Sequence, residues 1–158
     1  LGRDTAQFSS RNNTIKLTTT KSQNTGDGRD RLIAIENVNG AAGNDKITGN
    51  KRKNTLNGEK GNDRLHGGGG NDLLIGGVGK DQVWGQGGRD TFRVQRGNGD
   101  TIIKDVRKGQ DKIQLGSGRS GLQLKTRVDD VLVFLKKELM GIAEDAAGDL
   151  QRRGNYLA

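Results

Sequence analysis

An all-β solenoid, two thin parallel sheets facing each other across a narrow core, is the fold class that three observations predict. The chain of 158 residues is only 29% hydrophobic and 3% aromatic, yet carries 27 glycines and no proline. Glycine, asparagine and aspartate recur together at a fixed spacing, and one apolar residue follows each cluster at a constant distance. The chain reaches the usual apolar share of roughly 45–50% only when glycine is counted, and glycine brings no side chain to a conventional core. Disorder, the usual reading of low hydrophobicity with high charge, does not generate a period; a repeat fold that uses glycine in turns does.

The period is nine residues. From Gly40 the blocks read GAAGNDKIT, GNKRKNTLN, GEKGNDRLH, GGGGNDLLI, GGVGKDQVW and GQGGRDTFR, ending at Arg93. Position one is glycine in all six (Gly40, Gly49, Gly58, Gly67, Gly76, Gly85) and position four in five (Gly43, Gly61, Gly70, Gly79, Gly88). Position six is acidic in five (Asp45, Asp63, Asp72, Asp81, Asp90), and position eight is apolar in all six (Ile47, Leu56, Leu65, Leu74, Val83, Phe92). One earlier block without glycines places Glu36 at position six and Val38 at position eight, and a copy out of register is expected at residues 26–32. Beyond Arg93 the frame slips by one, with degenerate copies expected at residues 97–102 and 109–113 that carry Asp100 and Asp111.

Each block divides into six turn-like residues, rich in types that tolerate positive φ, and a three-residue strand with one inward side chain at position eight. Two blocks make one flat coil of 18 residues. A single block buries nothing, so stability comes from stacking and from end caps. Position six of each block then lies over position six two blocks later: Asp45 on Asp63, Asp63 on Asp81, and Asp72 on Asp90. Like carboxylates at close range repel, and one of each pair is pushed toward protonation. A divalent cation between them reverses the sign. Two carboxylates with several carbonyls from glycine turns make an all-oxygen site, the chemistry of Ca²⁺ with roughly 6–8 oxygens, rather than of the tighter Mg²⁺ octahedron.

These blocks resemble the G-G-x-G-x-D-x-U-x nonapeptide of RTX (hemolysin-type) calcium-binding proteins, the calcium β-helix signature. Residues 67–75 and 76–84 match every fixed position, and residues 35–38, 99–105 and 109–113 are similar to the borders of such arrays. The resemblance implies a parallel β-roll, a right-handed two-sheet solenoid with β-rich caps. It also implies export by a type I route reading an uncleaved C-terminal signal, and folding only in extracellular calcium. The expected organisation is a single domain: residues 1–39 a cap with degenerate repeats, 40–93 the six blocks, 94–115 degenerate repeats, and 116–158 a second cap that doubles as the secretion signal. The expected calcium ligands are Asp45, Asp63, Asp72, Asp81 and Asp90 with the backbone of the position-one and position-four glycines. Asn54, Asp100 and Asp111 are degenerate candidates.

The second block departs from the pattern, with Arg52 for glycine and Asn54 for the acid. The Asn54/Asp72 pair is therefore expected to bind poorly, and about three ions are expected, at Asp45/Asp63, Asp63/Asp81 and Asp72/Asp90. Lys80 and Arg89, each just before a site aspartate, are expected to lower affinity. The net charge is +8. One reading is docking on an acidic surface such as anionic polysaccharide, lipid headgroups or an acidic protein; the other is solvated strand faces. Nucleic acid is argued against, because the basic residues are not interleaved with aromatics.

Residues 14–20 alternate and are β-branched, which predicts a capping strand. Strands are predicted within 122–135, a strand or a helical turn over 139–143, and helix formers fill 143–153. No run approaches the ~20 apolar residues of a membrane span, no signal peptide is visible, and there is no cysteine. His66 is the single histidine and sits at position nine, as does Trp84; both are expected at the surface. No H-E-x-x-H motif is present and no Ser-His-Asp set is credible, so no enzyme is expected in this chain. The reading is a secreted, calcium-folded roll with a structural, adhesive or docking role. One alternative is the C-terminal module of a larger secreted hydrolase or toxin, suggested by a start at Leu1 rather than Met. Another is a partly decayed roll that binds an acidic partner.

Overall fold

The structure, a computed structural model, describes residues 2–94, 101–107 and 110–115 and the backbone of the strands Leu122–Arg127, Asp130–Leu135, Glu138–Glu144, Arg152–Arg153 and Tyr156–Leu157. It is an all-β solenoid of the β-roll type, with no helix among the described residues. The first sheet stacks Thr5–Gln7, Asn37–Asn39, Thr55–Lys60, Leu73–Val78, Thr91–Val94 and Lys112–Leu115 in parallel. The second stacks Thr14–Lys16, Lys46–Thr48, Arg64–Gly68, Asp81–Gln86 and Thr101–Ile103 in the same way.

The register follows from burying one residue per block. Val38 pairs with Leu56, Leu56 with Leu74 and Leu74 with Phe92 in the first sheet, and Ile47, Leu65 and Val83 form the facing row. All of these are at most 2% exposed. Each large aliphatic side chain buried this way contributes roughly 1.5–3 kcal/mol, so a core only two side chains thick suffices if it is long. Ile15 and Ile103 extend one row, and Ile113 extends the other.

The strands run further than three residues. In the middle of the roll they continue into the next block, through position three in the first sheet, with Glu59 paired to Gly77 and Lys60 to Val78, and through position two in the second. The turn is therefore shorter than the six residues expected, and after the first-sheet strands it occupies positions four to six.

The ends depart from the 18-residue coil. Ala6 pairs with Val38 and Ile15 with Ile47, partners 32 residues apart. The extra chain in the first coil includes a small antiparallel hairpin, Gln23–Asn24 against Arg29–Asp30. The copy expected at residues 26–32 is thus no coil: its glycines, Gly26 and Gly28 with φ of 106° and 135°, serve the hairpin turn. At the other end Val83 pairs with Ile103, which puts Thr101 opposite Asp81. The register expected for residues 97–102 is therefore one residue off. Asp100 itself lies outside the described residues.

The C-terminal segment adds Leu122–Arg127, Asp130–Leu135 and Glu138–Glu144 as an antiparallel meander, joined to the second sheet by pairing of Ile102 with Ile142. Residues 139–143 are strand, not a helical turn. Of the helix expected over 143–153, Ala143 and Glu144 are in a strand and so are Arg152 and Arg153; residues 145–151 lie outside the described residues. Tyr156–Leu157 joins the first sheet antiparallel to Lys112–Leu115, and Arg152–Arg153 pairs outside it as the last strand.

Candidate calcium-binding turns

Position six lies at the last turn residue before each strand, and its side chain points back into the roll. Asp45, Asp63, Asp72, Asp81 and Asp90 are at most 2% exposed. One oxygen of each carboxylate has a fixed task. The backbone N–H of Asp45 donates to Asp63 Oδ1 at 2.8 Å, that of Asp63 to Asp81 Oδ1 at 3.0 Å, and that of Asp72 to Asp90 Oδ1 at 2.9 Å. Each aspartate thus reaches down the stack to the coil before it. Two columns result: Asn13, Asp45, Asp63 and Asp81 on one edge, and Asn54, Asp72, Asp90 and Asp111 on the other.

The second oxygen is different. Oδ2 of Asp45, Asp63, Asp72, Asp81 and Asp90 is buried and meets no hydrogen-bond donor. Leaving a buried polar atom unpaired costs about 1–3 kcal/mol, and more for a charge. Five repetitions of the same orphan mark a site rather than a defect.

The position-one glycines shape that site. A Cβ on Gly67 would lie 2.5 Å from Asp72 Oδ2 and 2.8 Å from the carbonyl oxygen of Gly85, the glycine one coil on. Gly58 stands in the same relation to Asp63 Oδ2 and the Gly76 carbonyl, and Gly40 to Asp45 Oδ2 and the Gly58 carbonyl. Gly76 and Gly85 lie against Asp81 Oδ2 and Asp90 Oδ2. The space a side chain would fill is therefore lined by a carboxylate oxygen and, in the interior, by a carbonyl oxygen from the next coil. The position-four glycines make the turn itself: Gly43, Gly61, Gly70, Gly79 and Gly88 all have φ between 100° and 139°, closed to other residues at ordinary cost.

Burial holds these carboxyls well above their ordinary range. Asp63 and Asp72 are pushed up to about 7, first by desolvation and then by neighbouring carboxylates, against the pull of a backbone N–H. Asp81 and Asp90 are raised to about 6 and Asp45 is raised too, each chiefly by desolvation. Repulsion between stacked carboxylates, expected to lead, is second to burial because their Oδ1 atoms are separately tied to backbone donors.

This donor set fits a hard divalent cation. Among the described residues no three acidic or imidazole side chains converge, so most ligand oxygens must be carbonyls. Anionic oxygens with glycine carbonyls suit Ca²⁺.

Asn54 is buried in the same column, but its amide is committed: Oδ1 accepts from the Asn50 N–H at 2.8 Å and Nδ2 donates to the Glu36 carbonyl at 3.1 Å. Arg52, beside it, leans over to Glu36 at 3.7 Å. Asp111 accepts the Asp90 N–H with Oδ1 at 2.9 Å and the Arg107 N–H with Oδ2 at 2.8 Å, so it carries no orphan. Lys80 and Arg89 point to solvent.

Several contributors were not anticipated. Position-five asparagines form a ladder that runs opposite to the aspartates: the N–H of Asn62 donates to Asn44 Oδ1 at 2.7 Å and that of Lys80 to Asn62 Oδ1 at 2.8 Å. The triplets Asn44-Asp45, Asn62-Asp63 and Asn71-Asp72 after glycine were its signal. Asn13 begins the Asp45–Asp63–Asp81 column; Asn13-Thr14-Ile15 repeats the form of Asn54-Thr55-Leu56, which would have revealed it. Thr101 ends that column. His66 and Trp84 are half-buried and stacked, ring centroids 4.3 Å apart and 7° from parallel, where two separate surface side chains were expected.

The family model of the RTX calcium-binding nonapeptide repeat matches the chain in four overlapping copies, at residues 39–74, 48–83, 57–92 and 66–100. No curated protein sequence matches it.

Proposed function

We propose that the roll, whose chain matches the RTX calcium-binding nonapeptide repeat over residues 39–100, is an extracellular, non-catalytic calcium-binding module. Calcium folds it, and its basic surface docks on an acidic partner. The observation that carries the calcium part is the run of five buried Oδ2 atoms without donors. Without a cation each carboxylate must be protonated or strained, so cation uptake and folding are one equilibrium. Three ions are the expected number, one at each of Asp45/Asp63, Asp63/Asp81 and Asp72/Asp90.

Extracellular calcium is high enough to saturate modules with dissociation constants near 10⁻⁴–10⁻³ M, which supports a fold that forms after export. Docking draws support from a groove lined by Arg3, Lys53, Arg89 and Arg93 beside Asn71 and Thr91, where four cationic side chains gather. The lone histidine, stacked on Trp84, supports a role without catalysis.

The test is a calcium titration of the EDTA-stripped chain followed by far-UV circular dichroism, Trp84 fluorescence and calorimetry. A coil-to-β transition with about three ions is expected. A chain already folded in EDTA that takes up none overturns it.

A further inference from the structure

We propose that the Arg107 guanidinium is a built-in cation that occupies the last carboxylate cluster of the Asn54 column, between Asp90 and Asp111, and excludes calcium from it. The inference rests on the calcium reading above. Arg107 Nη2 donates to the Gly88 carbonyl at 2.5 Å and stands 3.7 Å from Asp90 Oδ2, while Nε stands 3.5 Å from Asp111 Oδ2. Both carboxylate side chains are fully buried. Two buried anions and a turn carbonyl on one spot require a positive charge, and here a side chain of the chain itself brings it.

The comparison with the interior turns is direct. There, the carbonyl of a position-four glycine abuts the glycine of the next coil, Gly70 against Gly88 and Gly61 against Gly79. At Gly88 the nonapeptides end, and the guanidinium meets the carbonyl instead. The loop that brings Arg107 in is built for this. The Asp111 N–H donates to the Arg107 carbonyl at 3.0 Å and the Arg107 N–H returns to Asp111 Oδ2 at 2.8 Å. The guanidinium spreads one charge between two carboxylates at ion-pair distance, with its hydrogen bond to the Gly88 carbonyl and no hydrogen bond from the buried Nε.

The same solution recurs with neutral nitrogen at the opposite ends. Asn13 Nδ2 lies within 2.8–3.2 Å of the carbonyls of Ser9, Arg11 and Gly40 and of Asp45 Oδ1. Asn54 Nδ2 donates to the Glu36 carbonyl. Where the ladder stops, a side-chain N–H fills the oxygen cluster, so the coil at that end keeps its shape without an ion.

Calorimetric counting of calcium per chain, with calcium chloride as the only ligand, tests this on the full chain and two variants. Arg107→Ala is expected to take up one ion more than the parent, because calcium enters the vacated cluster. Asp111→Asn is expected to bind the parent's number, because it removes a partner of Arg107 and no calcium ligand. Loss of one ion in Asp111→Asn overturns the proposal, since calcium would then occupy that turn. So does an Arg107→Ala chain that folds with the parent's number, or one that does not fold at saturating calcium. A parent that takes up no calcium refutes the calcium reading itself, a result visible before either variant is compared.

Discussion

The backbone N–H of Asp63 donates to Asp81 Oδ1 at 3.0 Å, while Asp81 Oδ2, on the same carboxylate, is buried without a donor. One oxygen holds two coils in register and the other waits for a cation. This division makes each carboxylate structural and ligating at once, and its separation by mutation is straightforward. Asp81→Asn keeps the Oδ1 acceptor but replaces the orphan with an amide donor. It is expected to lose at least one calcium, and to fold only at calcium concentrations about tenfold higher or more, because a charged ligand is gone. Calorimetry of the variant reads both.

The reverse change is expected at Asn54. Asn54→Asp frees the Glu36 carbonyl from Nδ2 and recreates, against Gly49, the cradle that the other position-one glycines form with their aspartates. One added calcium per chain is expected, with Arg52 and Lys53 holding its affinity below that of the interior ions. An unchanged count would mean that the basic pair, not the missing acid, closes this turn.

The pH dependence follows from the carboxyls raised by burial. In the unfolded chain they ionise near pH 4; in the metal-free folded chain Asp81 and Asp90 ionise at about 6 and Asp63 and Asp72 at about 7. The folded state therefore binds more protons between these values, and stability in EDTA falls as pH rises from about 4 to 7. Calcium binding displaces those protons, so its affinity rises over the same interval. Circular dichroism in EDTA at pH 5 and pH 8 is expected to show more structure at the lower pH. Calorimetry near pH 6 in buffers of different ionisation enthalpy is expected to show proton release.

Backbone strain is distributed unevenly along the turns. Gly79 holds φ of 139° with the Gly61 carbonyl against its Cα. Gly79→Ala must distort both, and is expected to cost more than about 3 kcal/mol and to prevent folding at millimolar calcium. By contrast Gln86 is an exposed residue with φ of 64°, at a position-two site where Gly68 and Gly77 are the relaxed solution. Its contact with Asp105 is through the backbone. Gln86→Gly is expected to stabilise the calcium-bound roll by about 0.5–1 kcal/mol, the relief of the left-handed conformation less the added chain entropy. Thermal melts in calcium compare the two.

The His66–Trp84 stack supplies an optical reporter at the centre of the second sheet. His66 is held below its ordinary pKa by burial and by Lys46, so the stack is between neutral rings at pH 7. His66→Ala is expected to shift Trp84 emission to the red in the calcium-bound state and to cost about 0.5–1.5 kcal/mol. The emission of the calcium-free chain should not change. Protonation of His66 at acidic pH is expected to weaken the stack, since the folded state disfavours the charged ring and loses stability as pH falls.

The nonapeptide frame by itself determined the interior of this protein. A period of nine with an apolar residue at position eight allows one economical burial, two blocks per coil. From that follow the sheets, the rows Val38–Leu56–Leu74–Phe92 and Ile47–Leu65–Val83, and the two columns of aspartates. Every coil there repeats the one before, so a local pattern carries long-range information. The ends were decided by tertiary structure. The 32-residue span from Ile15 to Ile47 absorbs a hairpin that imitates a repeat, and the one-residue slip that sets Thr101 over Asp81 depends on Ile103 filling the core. The place of Asn13 in its column is signalled by Asn13-Thr14-Ile15, but the contacts by which Asn13 and Arg107 close the carboxylate clusters are not legible in the chain. Each is a single side chain meeting oxygens from another coil, and no period records an encounter that happens once.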